Sequence, residues 1–218
     1  MVRIIRTEDG SDTLYVPELD EHYHSVHGAI QESEHIFIGA GFDFTKADPV
    51  RILEIGFGTG LNALLTCIYS EKAKRKVYYT SIEKYPLQPD VTESLNYTDI
   101  LKGDSKMLFD KIHRCRWNSF EQVTDGFMLR KIEADLVALE IEGTYDLVYF
   151  DAFGPGKQTE MWSDDIFERI GRAVCSDGIL VTYSVKGSVK RSLKRSGFNV
   201  TLLPGPPGKR QILRAVKC

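Results

Sequence analysis

Residues 50–60 constrain the fold of this chain more than any other stretch. Val50 to Ile55 (VRILEI) is an apolar run suited to a strand buried on both faces. It breaks at Gly56-Phe57-Gly58-Thr59-Gly60, and the segment NALLTCIYS that follows, opening at Asn62, has helical spacing. A strand that turns through glycines into a helix marks the place where open α/β sheets bind ligands, because backbone without Cβ atoms lets a ligand come close. The spacing separates cofactors. A dinucleotide loop reads GxGxxG, whereas position 61 is Leu and the third glycine arrives one residue early. Glu54, at the strand end, is placed to attract the cationic amino group of a cofactor that carries an amino acid, and would repel a pyrophosphate.

The same alternation continues along the chain. VYYTSIE reads as a second strand, Tyr85 to about Arg130 as a long polar and helical region, and KIEADLVAL as a short third strand. YDLVYFDAF is the fourth strand, SDDIFERIGRAV a helix capped by Ser163, GILVTYS the fifth strand, and VKRSLKRSG a helix closed by Gly197. FNVTLLPG and QILRAVK close the chain as an antiparallel hairpin at the sheet edge. The expected fold is α/β: a doubly wound, mostly parallel, seven-stranded Rossmann-like sheet with a terminal antiparallel strand. Ahead of it, VRIIRT and TLYV flank the turn Glu8-Asp9-Gly10-Ser11 as a hairpin, and Leu19 to Phe44 reads as a helical lead-in. The expected division is therefore 1–45 for the hairpin and lead-in and 46–218 for the main domain.

Acids follow the strand ends in order. Glu83 ends the second strand, placed to accept hydrogen bonds from both hydroxyls of a ribose, and Asp135 follows the third segment, placed to hold an adenine amino group. This pattern resembles the class I S-adenosylmethionine-dependent methyltransferases. Asn62 and Ala134, beside these motifs, complete the cofactor contacts that the resemblance implies.

The second half is more specific. DAFGPGKQTEMWSDDIF from Asp151 to Phe167, TYSVKGSVKRSLKRSGFNV and PGPPGKRQIL, together with ESEHIFIGAGF before the glycine strand, resemble the methyltransferase domain of the MnmC family. That family completes the methylaminomethyl group on the wobble uridine of certain tRNAs. The resemblance implies S-adenosylmethionine as cofactor, tRNA as partner through its anticodon loop, and an aminomethyl precursor installed by other enzymes. MnmC proteins often carry a second, flavin-dependent oxidase domain, and from these 218 residues a monofunctional methyltransferase without it is expected.

Transfer from a sulfonium to an amine is an in-line displacement that needs the nucleophile aligned and neutral. Asp151, at the end of the fourth strand beside the cofactor crevice, is the residue to orient the amine and stabilise the cation that forms; the alternative is a helix N-terminal acid. Phe153 and Gly154-Pro155-Gly156 shape the base pocket. A wobble base in a single-stranded loop is gripped by stacking, for which Phe153, Trp162 and Tyr183 are candidates, although Trp162 equally fits a core position. Tyr23 and Ser25 cover the cofactor mouth, as the family resemblance implies.

The net charge is -3, yet from Ile179 onward there are nine Lys and Arg and no acid, against 19 basic and 31 acidic residues before it. Such a split raises nucleic acid or a membrane surface as partner. Lys186, Lys190, Arg191, Lys194 and Arg195 on the last helix, Lys209-Arg210 in the PGPPG loop with no compensating acid nearby, and Lys157 are the expected phosphate contacts. No apolar run reaches the roughly 20 residues of a membrane span. The scattered Cys67, Cys115, Cys175 and Cys218 read as reduced thiols and the N-terminus has no export signal, so a cytoplasmic protein is expected. His22, His24, His27 and His35 lack partners at ligand spacing, and no metal site is expected. Two other readings keep this fold: a methyltransferase for a small amine or a protein side chain, and a non-catalytic RNA-binding module.

Overall fold

The computed structural model describes residues 2–218. Strands β1 (Arg3–Arg6) and β2 (Asp12–Val16) form the expected hairpin, and β3 (Glu21–His22) adds a third antiparallel strand. The helical lead-in begins later than its composition suggests. Residues after β3 stay extended along β2, where Tyr23 N–H donates to Leu14 O at 2.9 Å and His24 N–H to Thr13 Oγ1 at 2.9 Å. Helix α1 (Ala29–Ser33) then runs into a π-helical segment, Glu34–Phe42. That segment lies against the main sheet so closely that a Cβ on Gly41 would come within 3.1 Å of Val181 and 3.2 Å of Tyr149.

The main sheet is built from β4 (Val50–Ile55), α2 (Leu61–Ala73), β5 (Val77–Glu83), α3 (Pro89–Glu93), α4 (Tyr97–Leu101), α5 (Ser105–Arg114), β6 (Phe120–Thr124) and β7 (Phe127–Glu133). It continues through β8 (Tyr145–Phe150), α6 (Asp164–Ala173), β9 (Val174–Thr182), α7 (Gly187–Arg195), β10 (Phe198–Pro204) and β11 (Gln211–Lys217). The strand order is β10-β11-β9-β8-β4-β5-β7-β6. Its five central strands are parallel, and β11 and β10 form the expected antiparallel hairpin at one edge. Ser163 caps α6 by accepting from Ile166 N–H, and Gly197, at φ +82°, follows α7.

Two expectations are corrected. The sheet has eight strands, not seven, because β6 pairs antiparallel with β7 at the far edge, inside the stretch read as helical. Asp125-Gly126 between FEQVT and FMLRKIE is a hairpin signal that the polarity of the region obscured. The third parallel strand consequently ends at Glu133, and Asp135 opens the following loop.

Apolar side chains fill both faces of the sheet. On one, Ile52, Tyr79 and Leu147 pack with Leu64 of α2, Phe109 of α5 and the π-helical segment; on the other, Leu53, Ile55 and Phe150 pack with Phe167 of α6 and Leu193 of α7. Leu14 and Ala29 from the N-terminal segment share the first of these clusters. Among the described residues no helix is long and apolar enough to cross a membrane.

Candidate cofactor and acceptor crevice

From β4 the chain passes through α2 to β5 on one side, and it later returns from β7 to β8 on the other. The strand ends part at this reversal, the position where doubly wound sheets bind ligands. Here the crevice is about 830 Å³, walled by the glycine loop, the ends of β5, β7 and β8, the strap of residues 21–27, Tyr183 and Lys209.

Glycines shape its floor. Gly56 (φ +90°) brings the loop against β8, where a Cβ would lie 3.0 Å from Asp151 O; Gly58 (φ +50°) would place a Cβ 3.0 Å from the Tyr23 ring. Gly58 N–H donates to Glu83 Oε2 at 3.1 Å, and Tyr85 N–H to Glu83 Oε1 at 2.8 Å. Gly60 points its open side away from the crevice, toward His113 Nε2 at 2.9 Å. His113 Nε2 in turn sits 3.1 Å from Thr59 O, and Lys131 Nζ donates to His113 O at 2.9 Å. Lys131 is 1 % exposed, with Nζ 5.4 Å from the Phe57 ring and 4.9 Å from that of Trp117. Burial lowers Lys131 to about 8 and His113 to about 4. This prop beneath the loop escapes sequence reading, because nothing in the sequence pairs a lysine on β7 with a histidine on α5.

Glu54 departs from expectation. It is 0 % exposed and lies off the crevice wall, accepting from Ser81 Oγ at 2.6 Å. Burial pushes its carboxyl up to about 8, so at neutral pH it presents no full anionic charge to a ligand. A central strand covered on both faces leaves its side chain no exposed direction.

Ala134 and Asp135 line the crevice. Lys84 Nζ, 2.8 Å from Asp135 Oδ2, holds that carboxyl below its ordinary range, and Val137 N–H adds to the effect. Arg169 of α6 fixes the loop by donating to the carbonyls of Leu139 (2.6 Å) and Leu136 (2.9 Å).

Across the crevice, Asp151 Oδ2 accepts from Asn62 Nδ2 at 2.8 Å. Burial pushes Asp151 well above the usual carboxylate range; Glu32 and Glu54 add to this, while Asn62 and Lys209 oppose it. Phe153 meets the Tyr23 ring edge-on at 4.9 Å, and its backbone is pinned by Gln158 Oε1 and by Trp162 Nε1. Trp162 itself is 6 % exposed and packs on Phe150 at 4.7 Å, so it is core and not a stacking surface. Tyr183 keeps its place on the wall, its hydroxyl donating to Ala152 O at 2.7 Å. Ser25 and Lys157 also reach the crevice.

The basic residues separate. Lys209 faces inward and pairs with Glu32 Oε1 at 2.7 Å, while Arg195 pairs with Asp164. Both contacts correct the expectation that no acid lies nearby; a fold brings α1 and α6 acids to a segment that is acid-free in sequence. Lys186, Arg191, Lys194 and Arg210 are exposed, Lys190 is half-buried, and Lys186 Nζ approaches the 154–157 turn at the crevice rim. The histidines do not converge: His24 is buried, His22 packs on Tyr15, His27 pairs with Glu8, and His35 reaches Pro204 O.

The chain is 32% identical over 225 residues to the tRNA 5-methylaminomethyl-2-thiouridine biosynthesis bifunctional protein MnmC of Cupriavidus metallidurans, covering 95% of this chain and 33% of that one. It is 30% identical over 207 residues to MnmC of Campylobacter hominis, covering 93% and 31%. The chain thus spans about a third of the length of these relatives. The crystal structure of MnmC2 from Aquifex aeolicus superposes with a TM-score of 0.80 at 29% identity, covering 99% of this chain and 69% of that one. Spermidine synthase from Thermotoga maritima shares the fold, with a TM-score of 0.59 at 14% identity over 95% of this chain and 69% of that one. Residues 96–218 match the family described as S-adenosyl-L-methionine-dependent methyltransferases, and the chain belongs to that family.

Proposed function

We propose that this protein methylates the nitrogen of an aminomethyl group on the wobble uridine of tRNA, using S-adenosylmethionine. The observation that carries the reading is the crevice itself. A glycine floor closed by Glu83 adjoins a wall lined by Asp151, Phe153 and Tyr183, in a chain whose relatives are named for tRNA 5-methylaminomethyl-2-thiouridine biosynthesis. The cofactor fits the residues present, since Cβ atoms at Gly56 or Gly58 would narrow the floor and Glu83 offers a carboxylate for ribose hydroxyls.

Gly56, Phe57, Gly58, Asn62, Glu83, Ala134 and Asp135 hold the cofactor, which supplies an electrophilic methyl on a sulfonium. Asp151 accepts a hydrogen bond from the acceptor amine, turning its lone pair inward, and stabilises the positive charge that nitrogen gains. Phe153, Tyr23 and Tyr183 enclose the base once it leaves the anticodon loop, where no duplex need be opened. Lys157 and Lys186 at the rim, with the exposed cations of α7 behind them, receive phosphates. Other enzymes install the aminomethyl group beforehand, and the cytoplasm is where the reaction takes place.

The test is transfer of labelled methyl to tRNA from cells lacking this gene, followed by nucleoside analysis. Label in a 5-methylaminomethyl-uridine nucleoside is expected. Label that enters small amines or protein but never tRNA overturns the reading.

A further inference from the structure

We infer that Lys209, held in the crevice by Glu32, is a positioning residue that sets the charge around Asp151, and not a phosphate contact. The inference rests on the reading of Asp151 as the group that receives the acceptor amine.

The turn between β10 and β11 is built to aim this lysine inward. Lys209 N–H donates to Pro206 O at 2.9 Å, and Gly205 N–H to Arg210 O at 3.1 Å. Gly208, at φ +81°, presses on the strap, where a Cβ would lie 1.9 Å from the His27 ring. Arg210 is consequently exposed while its neighbour Lys209 lines the crevice. Glu32 is equally fixed: Oε2 accepts from Ser25 N–H at 2.6 Å and Oε1 pairs with Lys209 Nζ at 2.7 Å, with the two side chains 9% and 26% exposed. A phosphate at Lys209 must share the ammonium with Glu32 or displace that carboxylate, and displacement would leave a buried charge uncompensated, which is strongly unfavourable.

What the pair does follows from its surroundings. Glu32 from α1 and Glu54 from β4 act on Asp151 with one sign, and Lys209 acts with the other. The phenols of Tyr79 on β5 and Tyr183 after β9 also feel Asp151, and Asn62 of α2 bonds to it. Lys209 therefore opposes Glu32 and holds Asp151 nearer its ionised form, Glu54 being largely protonated near neutral pH.

The experiment is a carboxyl-carbon NMR titration of the ligand-free protein with labelled aspartate, the Asp151 signal being assigned by its loss in Asp151→Asn. Lys209→Met is expected to raise the Asp151 midpoint by about one pH unit, Glu32→Gln to lower it, and Lys209→Arg to leave it in place. The double variant Glu32→Gln, Lys209→Met, which leaves no unpaired charge and so guards against misfolding, is expected near the wild-type midpoint. An unchanged midpoint in Lys209→Met and Glu32→Gln, with a tRNA salt slope reduced by about one in the former, overturns the inference and makes Lys209 a phosphate contact. Because the titration is read without cofactor or tRNA, its outcome is separate from whether tRNA is methylated.

Discussion

Asn62 at the start of α2 donates its side-chain amide to Asp151 at the end of β8 across 2.8 Å. This contact joins the two halves of the crevice, since α2 follows the glycine loop and β8 leads into the aromatic wall. Its consequence is that Asp151 is oriented before any acceptor arrives, so the alignment cost is met in folding and not in the transfer step.

Replacing the carboxylate should therefore separate chemistry from cofactor binding. Asp151→Ala is expected to slow methyl transfer by roughly 10²–10³-fold, while the affinity for S-adenosylmethionine changes by no more than about threefold, under 1 kcal/mol. Single-turnover transfer and calorimetry measure the two quantities. An unchanged transfer rate removes Asp151 from the mechanism.

Cofactor affinity should respond instead to the opposite side of the loop. Glu83 already accepts from Gly58 and Tyr85 amides, so its carboxylate is positioned for a diol. Glu83→Gln is expected to weaken S-adenosylmethionine by about tenfold, near the loss of one charge-assisted hydrogen bond. Gly58→Ala combines a left-handed φ with a Cβ 3.0 Å from the Tyr23 ring, and a comparable or larger loss is expected by calorimetry. Wild-type affinity in both variants would place the cofactor elsewhere.

These two sites differ in how legible they were. The glycine loop, Glu83, Asp135 and Asp151 are local to strand ends, so alternating apolar and polar segments with turn residues locate them. Trp162 could not be assigned that way, because one aromatic in a polar loop looks the same whether it faces a base or Phe150. Glu54 fails for a related reason: a carboxylate at a strand end reads as accessible until both faces of the strand are seen to be covered. Glu32 and Lys209 were invisible as a pair, being 177 positions apart and joined only when the closing hairpin folds over α1. The eighth strand was legible in Asp125-Gly126 and was outweighed by the polar run before it.

Stability should depend on pH through groups that burial keeps neutral. His24 and His113 are lowered by burial to about 4. Between about 4 and about 6.5 the unfolded chain therefore binds more protons, and stability is lost as pH falls through that window. Glu54 has the opposite sign: raised to about 8, it makes the folded state hold the extra proton, so its contribution fades as pH rises from its unfolded value toward 8. Urea midpoints measured against pH should fall on both sides of a maximum near pH 6–7. Glu54→Gln should make the alkaline side shallower and the acid side steeper, since the Glu54 window overlaps that of the two histidines, and an unchanged alkaline slope contradicts the assignment.

Lys131 offers a separate test above that range. Its folded value of about 8 lies below the ordinary lysine range, so the unfolded chain binds more protons from about 8 to about 10.5. Wild-type stability gains a contribution as pH rises through that window. Lys131→Met fills the space between Phe57 and Trp117 without a buried charge, at the loss of one bond to His113 O. The variant should be relatively most stable below pH 8 and lose that advantage by about pH 10.5. A difference that stays constant with pH shows that the folded value is not lowered and that the lysine is as charged in the native interior as in the unfolded chain.

Binding of tRNA should be salt-dependent, and the ion pairs predict which cations carry the slope. Each phosphate neutralised contributes roughly 0.7–0.9 to the slope of log affinity against log salt. Lys186, Arg191 and Lys194 are exposed on or beside α7, so replacing each with Ala should reduce the slope by nearly that amount. Arg195 is engaged by Asp164, which also accepts from Ser192. Its replacement should change the slope less, because a phosphate there must compete with a carboxylate already in place. Filter binding from 50 to 200 mM salt, the range over which phosphate contacts weaken most visibly, measures all four. A flat dependence in the wild-type protein excludes α7 as a phosphate-binding face, and equal effects at Arg195 and Lys194 show that the Asp164 pair does not persist in the complex.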